Sequence, residues 1–335
     1  MWSGSGGDAT MLKTGRDTMP ITRRAAWAIL ATPALAQPAW PDRPIRFLQG
    51  FAGGGTTDIV ARLLAPGLAQ FLGQPVVVEN RPGAGGTLAA EALARATDQH
   101  TIMLINNGFA VSAALYRRLP YDPLADVVPV GMVAGTGLVL LVPASGPADL
   151  AGFIAAARAA ADPLNVATVG VGSTQYFVSE ALQAEAGFRL THIPYRGTPA
   201  AVLALRAGEV AAVVETASAV LGQIQSGEVR ALAITSAARF VSLPAVPTMA
   251  EALGRPFDIQ TWYALAAPSR LPEAATRRLG EALAVLAQDM ALRERLLGLG
   301  LVPLPPGTPG ETRALVHAEI ARWGGVVART GMERP

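Results

Sequence analysis

The stretch Gly50-Phe51-Ala52-Gly53-Gly54-Gly55-Thr56-Thr57-Asp58 offers backbone chemistry rather than side-chain chemistry. Consecutive glycines let the main chain adopt conformations a side chain would forbid and let a ligand approach it closely. Ile59, Leu63, Leu68 and Phe71 follow with the spacing of one helix face. The first free N–H groups of that helix, with the positive end of its dipole, then face whatever lies over the loop. That arrangement suits an anion. The same residues also read as a tight turn capped by Thr56 or Thr57, with Asp58 in the first helical turn, which needs no ligand. A second run, Asn80-Arg81-Pro82-Gly83-Ala84-Gly85-Gly86-Thr87, precedes a helix expected over Leu88 to Ala96. Asn106-Asn107-Gly108 and Gly170-Val171-Gly172-Ser173-Thr174 hold equivalent places further on, and Glu215 puts a carboxylate at the end of the buried run Val210 to Glu215.

Residue types exclude several catalytic readings. The chain has no cysteine, which removes disulfides, a thiolate nucleophile and Cys-based metal sites together. Its one lysine, Lys13, stands in the leader, so neither a P-loop nor a Schiff base is available. His100, His192 and His317 have no i, i+4 partner, and no metal site is expected. The sequence around Ser173 is not a G-x-S-x-G elbow, and Ser173 reads as a hydroxyl donor or helix cap. A dinucleotide fold would place Glu79 where a ribose-binding acid sits. It would also place Asp58 where the third glycine of the fingerprint belongs, setting a negative charge against pyrophosphate.

The elements that must position these loops alternate. Pro44 to Leu48, Gln74 to Glu79 and Thr101 to Ile105 read as buried strands, each ending in one of the loops. Strand, loop, helix in succession implies a mainly parallel sheet with all loops at its carboxyl edge. Pro66, interior to the first helix, is expected to kink it. Val128 to Val142 reads as one strand crossing between two lobes, and Asp258 to Ala266 as the crossing back. Between them Ala148 to Ala161 (helix), Leu164 to Val169 (strand), His192 to Tyr195 (strand) and Val229 to Thr235 (strand) repeat the first lobe's pattern. The last seventy residues read as amphipathic helices returning to the first lobe.

With 335 residues, 51% hydrophobic and 16% charged, the chain can bury a large core. Thr22-Arg23-Arg24, a short apolar run and Ala34-Leu35-Ala36 have the order of a secretory signal peptide, with cleavage expected after Ala36. That leader carries Lys13, Arg16, Arg23 and Arg24 against Asp8 and Asp17, so its loss takes the formal charge from +2 to 0. A neutral chain without a basic stripe lacks the footprint of a nucleic-acid binder.

Trp40-Pro41-Asp42-Arg43-Pro44, the loop Phe51 to Asp58, Val78 to Gly86, Leu119 to Pro123, Ile193 to Gly197, Gly227 to Ala233 and Val246 to Ala252 together resemble the solute-binding proteins of tripartite tricarboxylate transporters, the Bug family of periplasmic receptors. The resemblance runs from about Trp40 to the C-terminus. It implies a two-lobed type II periplasmic binding protein of the α/β class, each lobe a mainly parallel sheet flanked by helices. The expected division is residues 1–36 extension and signal peptide, 37–136 plus 262–335 lobe one, and 137–261 lobe two. The family's two glycine loops hold a carboxylate through backbone N–H groups and ordered water, which implies roles for Gly54, Gly55, Thr56 and Thr57, and for Ala84, Gly85, Gly86 and Thr87. Asn107 is implied from the third loop, and Thr168, Gly172, Ser173 and Glu215 from lobe two. The family usually has histidine at Tyr176, aspartate at Glu215, and proline or alanine at Gly53. The function implied is delivery of a small carboxylate to a membrane permease by a monomeric receptor without cofactors or catalysis. A cleft enzyme on the same fold or a dinucleotide-binding protein are the alternatives.

Overall fold

The computed structural model describes residue 7, residues 40–170 and residues 173–330. The leader expected over residues 1–36, apart from residue 7, and Gly172 lie outside them.

The first half of the chain forms β1 (Ile45–Gln49), α1 (Thr56–Leu72), β2 (Val76–Asn80), α2 (Thr87–Ala94), β3 (Thr101–Asn106) and α3 (Asn107–Leu115). β1 runs parallel between β2 and β3, so the loops leaving the three strands emerge at one edge, where ligands bind in such sheets. α1 runs continuously through Pro66, which lies on its exposed side.

β4 (Val127–Pro143) is a single strand of 17 residues. It leads to α4 (Leu150–Ala159), β5 (Leu164–Thr168), α5 (Thr174–Ala186), β6 (Leu190–Pro194), α6 (Thr198–Arg206), β7 (Ala212–Thr216), α7 (Ala217–Gln225), β8 (Val229–Ile234) and α8 (Met249–Leu253), and β9 (Gln260–Pro268) returns along it. Positions 127–137 of β4 pair with β9, and positions 138–143 with β7 and β8. The strand order is β2-β1-β3-β9-β4-β7-β5-β6, with β8 also on β4. The sheet is mixed, since β9 is antiparallel to β3 and β4, and β4 to β7 and β8.

Alternation along a strand sorts residues onto two faces, and here both faces are covered. In β1, Ile45 and Phe47 pack against α1 while Leu48 packs on the other side with Leu93 of α2. In β4, Leu138, Leu140 and Val142 serve one core of the second lobe and Val139 and Leu141 the other. Each fully buried side chain of this size contributes about 1.5–3 kcal/mol. The C-terminal helices α9 (Glu273–Leu286), α10 (Met290–Gly298) and α11 (Pro309–Thr330) come back to the first lobe, α9 on α1 and α11 on α3. Between α10 and α11, β10 (Val302–Pro303) adds an antiparallel pair to β4. Among the described residues no helix is long and apolar enough to cross a membrane.

Candidate ligand-binding cleft

The two glycine loops of the first lobe touch. A Cβ on Gly50 would stand 2.6 Å from the Cα of Gly86, so the contact is possible only without side chains. The second loop then coils through left-handed backbone at Ala84, Gly85 and Gly86 (φ 48°, 64° and 98°). Gly86 N–H bonds back to Gly83 O at 3.0 Å. In the first loop Gly55 precedes α1, and Asp58 folds back to accept the Gly54 N–H at 3.0 Å. Asp58 also accepts from Arg62 Nε (3.0 Å) and Asn80 Nδ2 (2.9 Å). Burial pushes this carboxyl up, but the bonds from Arg62, Gly54 and Asn80 and the charge of Arg62 outweigh it and hold it below the usual range. Gly54 thus serves its own helix, and its Cα side faces Pro199 of α6.

Across the cleft, Glu215 near the end of β7 is buried and accepts from Thr198 Oγ1 (2.6 Å), Gln175 Nε2 (3.0 Å), Thr216 N–H (2.8 Å) and Thr216 Oγ1 (3.1 Å). Burial raises its carboxyl, and these hydrogen bonds pull the other way without cancelling the rise. Thr56 of α1 reaches over to this group. Its hydroxyl bonds Ser218 Oγ at 2.6 Å and also Thr216 Oγ1. An ionised carboxylate can only accept, so with Glu215 ionised the chain runs from Ser218 through Thr56 and Thr216 to Glu215. The lobes are therefore closed on one another, joined by hydroxyls.

Two chambers lie between them. The inner one, of 30 Å³, is lined among others by Gly55, Thr56, Thr57, Asn106, Thr198 and Glu215, and holds about two water molecules. The outer one, of 430 Å³, is walled by Gly50 to Ala52 and Pro82 to Gly85 from the first lobe and by Val169, Gly170 and Tyr195 to Gly197 from the second. That volume is in the range of small-molecule sites, about 300–1,000 Å³. Phe51, Ala52, Val169 and Gly197 belong to both linings.

The residues singled out from the sequence are distributed as follows. Gly55, Thr56, Thr57 and Glu215 line the inner chamber, and Ala84 and Gly85 the outer. Gly86 and Thr87 lie behind the second loop, around a separate cavity of 10 Å³. There the hydroxyls of Thr87, Ser112 and Tyr121 are buried without a protein partner among the described residues, in space for about one water molecule. Asn107 is buried beneath the cleft, accepting from Trp323 Nε1 at 3.0 Å. Thr168 anchors the β6–α6 loop by accepting Tyr195 N–H at 2.8 Å. Ser173 caps α5 by accepting Tyr176 N–H at 3.2 Å. Sequence reasoning passed over Gln175, Thr198, Thr216, Ser218 and Tyr263, while Asn106, named there only as part of the third loop, lines the inner chamber in place of Asn107. Thr216 and Ser218 do follow Glu215 at the start of a helix, and that position is a signal for cleft hydroxyls.

Comparison with known proteins places this architecture. The profile described as "Tripartite tricarboxylate transporter family receptor" matches residues 60–332. Protein BugT of Bordetella pertussis is 40% identical over 315 residues, covering 90% of this chain and 95% of BugT. The solved periplasmic binding protein BugD superposes with a TM-score of 0.85 at 31% identity, covering 88% of this chain and all of that one. MatC from Rhodopseudomonas palustris, solved with bound malate, superposes with a TM-score of 0.81 at 35% identity, covering 86% and 99%. With its family profile matched, its lobes built alike and its glycine loops at their common edge, the chain belongs to the tripartite tricarboxylate transporter receptor family.

Proposed function

We propose that this chain is a periplasmic receptor that closes its lobes, 37–136 plus 262–335 and 137–261, on a small carboxylate and presents it unaltered to a membrane permease as a monomer. The observation that carries this reading is the outer chamber, in which a left-handed glycine turn from one lobe faces a loop of the other across 430 Å³. Backbone N–H groups of such a turn form a concave seat for an anion. The malate held by MatC and the adipate held by R. palustris Rpa4515, 31% identical with a TM-score of 0.83, support a dicarboxylate of four to six carbons as the ligand class. In this reading Ala84 and Gly85 contact the acid, and Gly55, Thr56, Thr57 and Glu215 shape the polar floor.

Calorimetric titration of the protein with malate, succinate, glutarate and adipate tests it. At least one acid should bind saturably, one per chain, and be recovered intact afterwards. At about 100 times its dissociation constant it stabilises the fold by about 2.7 kcal/mol, a melting shift of about 5 °C or more. Failure of every carboxylate to bind, or turnover of the bound one, overturns the reading.

A further inference from the structure

Among the described residues, the outer chamber has one charged side chain in its lining. Arg196 stands between Tyr195 and Gly197, and every other lining residue is glycine, alanine, proline, valine, phenylalanine or tyrosine. Arg196 is exposed and, among the described residues, enters no side-chain hydrogen bond or ion pair. Arg81, beside the second glycine loop, is by contrast committed to Glu79 at 2.6 Å.

The backbone carrying Arg196 is fixed on both sides. Tyr195 N–H bonds Thr168 O at 2.8 Å, and Thr198 bonds Glu215 at 2.6 Å. Gly197 is pressed on the first lobe so closely that a Cβ there would lie 2.5 Å from that of Ala52. Arg196 therefore stands in the chamber's second-lobe wall, and the Ala84–Gly85 turn in its first-lobe wall.

We propose that Arg196 takes the outer acid group of a ligand whose inner acid lies over the Ala84–Gly85 turn, so that the cleft prefers dicarboxylates to monocarboxylates. The inference rests on the receptor reading above. A turn of N–H groups satisfies one carboxylate. The second, brought into a chamber otherwise lined by uncharged residues, would give up water for nothing unless a cation met it. A guanidinium meets it with two parallel N–H donors. Because Arg196 remains on the rim, solvent and salt screen the pair, and the expected preference is about tenfold rather than absolute.

The test measures affinities of the parent, Arg196→Gln and Arg196→Lys for succinate, glutarate and adipate and for the monoamide of each. The parent should bind its best diacid about tenfold tighter than the matching monoamide, with the gap narrowing as salt rises. Arg196→Gln should bring the two within about twofold by weakening only the diacid, and Arg196→Lys should keep part of the preference. The proposal is overturned if Arg196→Gln retains the preference, or if it weakens diacid and monoamide equally. A parent that binds diacid and monoamide alike overturns the role of Arg196 and leaves the receptor reading standing. A parent that binds no acid removes both.

Discussion

Glu215 stands at the floor of the cleft with Thr198, Gln175 and Thr216 turned toward it, and its burial makes protonation a stability variable. Its carboxyl is raised above the ordinary 4.5 in the folded protein, so the native state binds a proton more readily than the unfolded chain. The stabilisation from that proton is complete below the unfolded value and is lost as pH rises through the folded one. In urea unfolding at a series of pH values, the stability of the parent relative to Glu215→Gln should increase as pH falls from 8 toward 5. A difference that stays constant with pH would show that Glu215 titrates normally. At this scale the carboxylate was legible, because an acid at the end of an apolar run is conspicuous. Thr216 and Ser218 could be read from their place after Glu215, but Thr198 and Gln175 could not, and Thr56, Thr216 and Ser218 become one chain only when two lobes bring them together. Asp58 was legible as a first-turn acid. That it consumes the Gly54 N–H depends on a loop curvature the sequence does not display.

Among the elements, β4 was the most legible, since its residues are buried on both faces and such strands read as nearly continuous apolar runs. The return along β9 was visible for the same reason. β10 was not, for Val302-Pro303 is too short to show any period, and α3 was hidden because Asn106 and Asn107 look like a loop until the Asn106 side chain accepts the Gly108 N–H at 3.0 Å and caps a helix. The junction of the two half-sheets on β4 is unusually tight. A Cβ on Gly137 would meet the backbone nitrogen of Ser236 at 2.8 Å, while Leu138 N–H donates to Thr235 Oγ1 at 2.7 Å and Ile259 N–H to Thr235 O at 3.1 Å. Gly137→Ala should therefore force the strands apart and cost about 1–3 kcal/mol, read as a lowered urea midpoint with an unchanged slope. Parent-like stability in that variant would mean that Ser236 yields freely.

For the molecule as a whole, the two-lobed plan followed from repeated strand, loop, helix units, whereas the closed disposition of the lobes rests on contacts between residues about 160 positions apart, such as Thr56 with Ser218. These hydroxyls contribute to closure beside the close contact of Gly197 with Ala52. Thr56→Val should remove its bonds to Thr216 and Ser218 and shift the unliganded protein toward open forms, giving a larger radius of gyration in small-angle scattering that a bound carboxylate reduces. Identical scattering from parent and variant would show that the hydroxyl chain does not govern closure. β4 and β9 remain paired from Val127 with Pro268 to Gly137 with Gln260, so the lobes are connected by a two-stranded ribbon rather than by two separate cords. Strands held in one register cannot slide past each other without breaking the hydrogen bonds between them. The two crossings therefore act as a single joint, and one lobe turns against the other about one place in the structure rather than two.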